Sequence, residues 1–184
     1  ILNGDKKTGV TIMVVDDEID HGPVIANSKL LIDDSDTYES LSQKMAILGA
    51  KLLIKTIPDF VLFKIKPIPQ EHDKATYAKI IKKEDGKINW MKSAIEIERM
   101  IRAYYPWPTA WTMWNGKIFK ILEANVSDNG SKRIGEIFVK DKKLAIKCGN
   151  NILIIQKLQL EGGKILTAKE FLNGHKDFIG NILE

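Results

Sequence analysis

Residues 14–23 read VVDDEIDHGP: an apolar run breaks off and four carboxylates, Asp16, Asp17, Glu18 and Asp20, arrive within five positions, followed by His21, Gly22 and Pro23. Carboxylates this close repel one another, so such a cluster serves solvation, a cation or proton chemistry. If the loop is partly desolvated, neighbouring negative charges raise the proton affinity of any one member. On these residues alone a solvated acidic turn is the better explanation of the run. Gly22 and Pro23 have a backbone purpose: the glycine permits a close approach to a ligand, and the proline fixes the exit into the next segment.

Two strands are needed to hold the ends of this loop. Gly9–Val15 is rich in β-branched residues and too short for a helix, so it reads as a strand buried on both faces. Val24–Ile32 resumes extended structure. Asp36 is expected to cap a helix, with Glu39 three residues on. Tyr38, Leu41, Met45, Leu48 and Leu52 follow at spacings of three and four, and the helix is expected to close near Pro58. That stripe is core rather than site.

From Lys66 the texture changes to KPIPQEHDKATYAKIIKKEDGKINW, which lacks a period and reads as a linker. Ser93 caps a short helix with Ile97, Met100 and Ile101 on its apolar face, ended by Pro-Trp-Pro at 106–108. Beyond Thr109, the runs AWTMW, KIFKILEANV, IGEIFV, KLAIKCG and NILIIQKLQL are punctuated by Asn-Gly, Asp-Lys and Gly-Asn-Asn. This is the spacing of a small antiparallel barrel or sandwich. TAKEFLNG closes the chain as a short helix.

Composition narrows the function classes. With 184 residues, 44% apolar and 28% charged, the chain has enough apolar material for a genuine core. The single cysteine, Cys148, cannot form an internal disulfide and no Cys/His spacing suits zinc, so a reducing compartment and a metal-free fold are expected. No apolar run approaches the roughly 20 residues that span a bilayer, so no membrane role is expected. Residues 1–66 carry 8 Lys and Arg against 10 Asp and Glu, whereas residues 67–184 carry 20 against 14. A basic second part suits a polyanion such as nucleic acid, although lysine-rich surfaces are also common.

The stretch NGDKKTGVTIMVVDDEIDHGPVI resembles the second half of a 10-formyltetrahydrofolate-dependent formyltransferase domain. TYAKIIKKEDGKINW, IRAYYPWPTAW and GKILTAKEFLNG are similar, in the same order, to the linker and C-terminal domain of the methionyl-tRNA formyltransferase family. The resemblance implies three segments: residues 1–66 as part of a Rossmann-like α/β domain whose N-terminal half is absent, 67–90 as linker, and 91–184 as an OB-like antiparallel β-barrel that binds tRNA. It implies formyl transfer from 10-formyltetrahydrofolate to the α-amine of initiator methionyl-tRNA, in a bacterial-type cytoplasm or an organelle. Asp20 is the implied catalytic carboxylate, in a loop lining the folate site with Asp17, His21 and Gly22. Lys82, Lys83 and Lys87 are the expected phosphate contacts.

The family pattern also includes an Asn-x-His pair upstream of the aspartate, beyond the start of this chain. Asn173-Gly174-His175 has that spelling but follows Asp20, and reads as coincidence. The chain is therefore expected to be an incomplete, self-inactive fragment, able to self-associate through its truncated sheet. The competing class is a non-catalytic tRNA- or RNA-binding module, and sugar nucleotide formylation is disfavoured by the linker and tail. Trp107, Trp111 and Trp114 are expected to anchor a core rather than to stack on bases.

Overall fold

In the computed structural model half-buried Thr8, Val10 and Ile12 alternate with exposed Lys7, Gly9 and Thr11, the two-residue period of a half-buried strand. The structure describes residues 1–128 and 130–183. They form two compact units, Asp5–Ile80 and Ile1–Gly4 with Ile81–Glu184.

In the Asp5–Ile80 unit, β1 (Lys7–Met13) pairs antiparallel with β2 (Val24–Leu31) as a two-stranded sheet. The expected burial on both faces does not occur, because α1 (Tyr38–Val61) supplies the apolar cover on one side. The helix cap differs as well. Thr37, not Asp36, is the N-cap, and its hydroxyl accepts from the Ser40 amide at 3.2 Å. Asp36 is buried one step earlier and accepts from the Asp33 amide (2.9 Å), the Ser40 hydroxyl (2.7 Å) and the Lys44 ammonium (2.7 Å).

These partners, Lys44 first, hold the Asp36 carboxyl down at about 2. A folded value below the ordinary 3.8 means that this stabilisation is present above that pH and is lost as pH falls toward about 2. Acid titration followed by circular dichroism is expected to loosen the amino end of α1 in that window. An Asp36→Asn variant should lack this step.

Leu41 and Thr56 are buried on the inner face of α1 and Met45, Leu48 and Leu52 are half-buried, whereas Tyr38 is 57% exposed. The helix runs past Pro58 to Val61. Its outer face carries Ile47, Ile54, Ile57 and Val61, all exposed.

In the second unit α2 (Ala94–Tyr104) is capped by Ser93 as expected, and Glu96 completes the capping box. Ala94, Ile97, Met100, Ile101 and Tyr104 form its buried face. The strands β3 (Ala110–Trp114), β4 (Lys117–Ser127), β5 (Ile137–Lys140), β6 (Lys143–Lys147), β7 (Ile152–Leu160) and β8 (Ile165–Thr167) form one antiparallel sheet. Asn115-Gly116 and Asp141-Lys142 have positive φ at both positions, the geometry of a two-residue turn that matches strand twist.

The sheet path is β3-β4-β7-β6-β5, with β8 on β7, and no β3–β5 pairing closes it among the described residues. The sheet of the expected OB-like barrel therefore stays open between β3 and β5, and the reason lies at its edges. The Ile137 amide donates to the Asn181 carbonyl at 2.9 Å, and the Gly180 amide to the Ile137 carbonyl at 2.8 Å, so the C-terminal segment occupies the outer side of β5. On β3 the Trp111 carbonyl accepts from the Ile88 amide at 2.7 Å. Both edges are covered by chain rather than by each other. Then α3 (Ala168–Gly174), capped by Thr167 and Glu170, seats Phe171 beside Phe119, Phe178 and Trp114.

Candidate functional site

Residues 14–23 form the connection between β1 and β2, and its neck is drawn tight: the Val14 amide donates to the Pro23 carbonyl at 2.9 Å. Gly22 is buried there, and a Cβ would lie 1.8 Å from the Val14 carbonyl oxygen. The close neighbour that demands glycine is therefore the chain's own backbone. Val15–Asp20 are all exposed, so the partly desolvated loop envisaged from the acidic cluster is not found. Asp20 sits at φ 54, in the left-handed region. Aspartate reaches it more readily than most side chains.

His21 does not stand free. Its Nδ1 is 2.8 Å from an Asp16 carboxylate oxygen, and its ring stacks on His72 with centroids 3.8 Å apart. The Asp16 hydrogen bond pushes the imidazole above its ordinary 6.5 and holds the carboxyl below its ordinary 3.8. The charged pair is thus complete between these values. It is lost as pH rises past the raised histidine value, or falls past the lowered carboxyl value. Ring-proton NMR should show His21 titrating above 6.5, and returning toward that value in Asp16→Asn. An unchanged titration in the variant would exclude Asp16 as the cause. Asp17 is exposed on the same loop.

In the other unit Lys82, Lys83 and Lys87 are all exposed around a short 3-10 turn, Lys83–Gly86. The turn is anchored from both sides: the Lys82 amide donates to the Asp85 carboxylate at 2.7 Å, and the Trp111 indole N–H to the Lys83 carbonyl at 3.0 Å. Lys83 and Lys120 line a shallow groove with Gln159 and Glu161. Trp114 is buried and Trp111 half-buried, so both anchor structure, whereas Trp107 is 59% exposed. Among the described residues no cluster of His, Cys, Asp and Glu could hold a metal ion, and no helix is long and apolar enough to cross a membrane. Cys148 is buried, and that burial pushes its thiol up to about 12.

Residues 80–176 match the family described as formyl transferase, C-terminal domain, and residues 1–57 match formyl transferase. The chain belongs to the formyl transferase family. A methionyl-tRNA formyltransferase of Streptococcus equi subsp. equi is 40% identical over 185 residues, covering 100% of this chain and 58% of that protein. The methionyl-tRNA formyltransferase of Thermodesulfovibrio yellowstonii is 40% identical over 176 residues, covering 96% of this chain and 56% of that protein. The chain thus spans somewhat more than half the length of the curated relatives it matches. Among solved structures, HypX from Aquifex aeolicus in complex with tetrahydrofolic acid aligns with a TM-score of 0.70 at 17% identity, over 97% of this chain and 32% of that one.

Two features of this formyl transferase chain escape a reading of sequence alone. Gln70, inside the stretch read as linker, donates from its amide nitrogen to the Asp20 carbonyl at 2.9 Å and the Gly22 carbonyl at 2.7 Å. The signal lay in Pro67-Ile68-Pro69, a stiff extended run in which Ile68 alone can pair by its N–H. A second basic groove, lined by Lys142, Lys143, Lys157 and Lys169 with Glu123, gathers lysines from separate elements. Asn173-Gly174-His175 falls at the end of α3, where the His175 ring packs on Phe171 with centroids 4.4 Å apart.

Proposed function

We propose that this chain is part of an enzyme that moves a formyl group from 10-formyltetrahydrofolate to the α-amine of initiator methionyl-tRNA. The observation that carries the reading is the 40% identity to a methionyl-tRNA formyltransferase, which runs through both units. Residues 1–66 contribute the carboxylate loop to a Rossmann-like formyl transferase domain, 67–90 the connection and 91–184 an OB-like tRNA-binding domain. A bacterial-type cytoplasm, where initiator tRNA is formylated, suits such an enzyme.

The amine nitrogen forms a new bond to the formyl carbon as the bond from that carbon to folate N10 breaks. A proton must leave the amine and one must reach N10. Asp20 is exposed and lies outside the Asp16, His21 and His72 cluster, so its carboxylate is accessible to order a water or hold a histidine charged for both transfers. Asp17, His21 and Gly22 border the folate donor on this reading. The test is transfer of labelled formyl from 10-formyltetrahydrofolate to initiator methionyl-tRNA by the complete polypeptide bearing these residues. Label on the released methionine supports the reading; tRNA binding without transfer would leave a binding module.

Lys82, Lys83 and Lys87 hold tRNA phosphates on this reading, as their exposure on an anchored turn allows. Changing Lys82 and Lys83 to Glu should raise KM for tRNA, leave kcat nearly unchanged, and flatten the salt dependence by about 0.9 per lost phosphate contact. Unaltered affinity and slope in filter-binding assays would remove these lysines from the interface.

A further inference from the structure

We propose that Gln70 is the positioning residue for Asp20, its carboxamide clamping the Asp20–Gly22 backbone so that the exposed carboxylate is held in one direction. The inference rests on the reading of Asp20 as the catalytic carboxylate. The loop itself gives Asp20 little support: residues 15–20 are exposed, and the peptide at Asp20 is turned into the left-handed region. His21 is braced by Asp16 and His72, but that brace acts on the ring, one residue further on. Among the described residues, the side chain that reaches the Asp20 peptide is Gln70, whose amide nitrogen bonds to the carbonyls of Asp20 and Gly22 at 2.9 and 2.7 Å.

Both partners are carbonyl oxygens, so the amide must present its NH2 group, which has one proton for each. Asparagine, one methylene shorter, could not span the same gap. Gln70 is placed by pairing rather than by a flexible tether. Ile68 and Val24 exchange both backbone hydrogen bonds at 2.8 Å, which fixes residues 68–70 alongside the start of β2. Pro67 and Pro69 flank Ile68 and stiffen the backbone into extended form. Two residues beyond Gln70, His72 stacks on His21. One segment thereby meets the loop at its neck, at Asp20 and at His21.

The test compares Gln70→Leu and the isosteric Gln70→Glu in the complete polypeptide, each alone and with Asp20→Asn, reading formyl transfer beside NMR order parameters of the loop amides. Losing the clamp should lower the Asp20 and His21 order parameters from the rigid value of about 0.85 toward 0.6 or below. It should lower kcat by about 10²-fold with KM for tRNA unchanged, the cost of a small misplacement of a catalytic group. In the Asp20→Asn background Gln70→Leu should cost nothing further, since the two act as a unit.

Gln70→Glu adds a readout that a merely structural role would not move. A protonated carboxyl can donate to one carbonyl and an ionised one cannot. The ratio of Gln70→Glu to unaltered kcat should therefore rise as pH falls through the carboxyl range, while the Gln70→Leu ratio stays flat. Unchanged order parameters or unchanged kcat in both variants, with Asp20→Asn inactive, would overturn the positioning role alone. An active Asp20→Asn enzyme would overturn the reading of Asp20 and this inference with it.

Discussion

On the proposed reading, Asp20→Asn in the complete polypeptide should slow formyl transfer by roughly 10²–10⁴-fold, the usual contribution of a positioned acid or base, and leave the fold in place. The substitution is unusually clean. Asp20 is exposed, so no core contact is lost, and its φ of 54 lies in the region that asparagine tolerates as readily as aspartate. The loop should therefore keep its shape while losing a charge and a proton acceptor. Alanine at the same position would add backbone strain and blur the result. Kinetics at saturating methionyl-tRNA check the prediction: kcat falls and KM holds, the pattern of an interaction made in the transition state. Equal rates for the two proteins would take Asp20 out of the chemistry.

Phe171→Ala should destabilise the second unit by about 3–5 kcal/mol, the range for removing a buried aromatic ring. Phe171 is 1% exposed, with ring centroids of Phe178 at 5.2 Å, Phe119 at 5.5 Å and Trp114 at 5.9 Å. It stands on α3, seven residues long, a length that has no stability of its own in water. The helix is held by what Phe171 buries. Urea unfolding followed by tryptophan fluorescence reads the effect, since Trp90 and Trp114 are both buried in the same unit. Phe63→Ala is the control: that ring is 95% exposed, and its loss should stay within about 0.5 kcal/mol.

What could be read in the sequence was what local chemistry dictates. Ser93 marks the start of α2 because its hydroxyl caps the Glu96 amide, and Asn115-Gly116 marks a hairpin because both residues tolerate positive φ. The five longer strands of the second unit followed from such punctuation. β8 did not, being three residues long and distinguishable mainly by its pairing with β7.

Choices between adjacent candidates were harder. Asp36 and Thr37 can both cap a helix, and tertiary contact decided: Lys44 reaches back to Asp36 and leaves the cap to Thr37. Closure of the sheet was beyond reach for the same reason, since only the folded chain brings residues 180–183 to the outer edge of β5. In the candidate loop, the run itself singled out the carboxylates and Gly22. That Gly22 is packed on Val14, and that Gln70 reaches Asp20 from 50 positions away, are properties of the folded chain.

The amine that receives the formyl group distinguishes the proposed enzyme from a sugar-directed one most directly. The complete polypeptide should be given 10-formyltetrahydrofolate with initiator methionyl-tRNA and a nucleotide-linked amino sugar together, and the two products separated by mass spectrometry. Formylmethionyl-tRNA as the sole product, lost in Asp20→Asn, is the predicted result. Formylation of the sugar with methionyl-tRNA untouched, or an Asp20→Asn enzyme as active as the original, would contradict it.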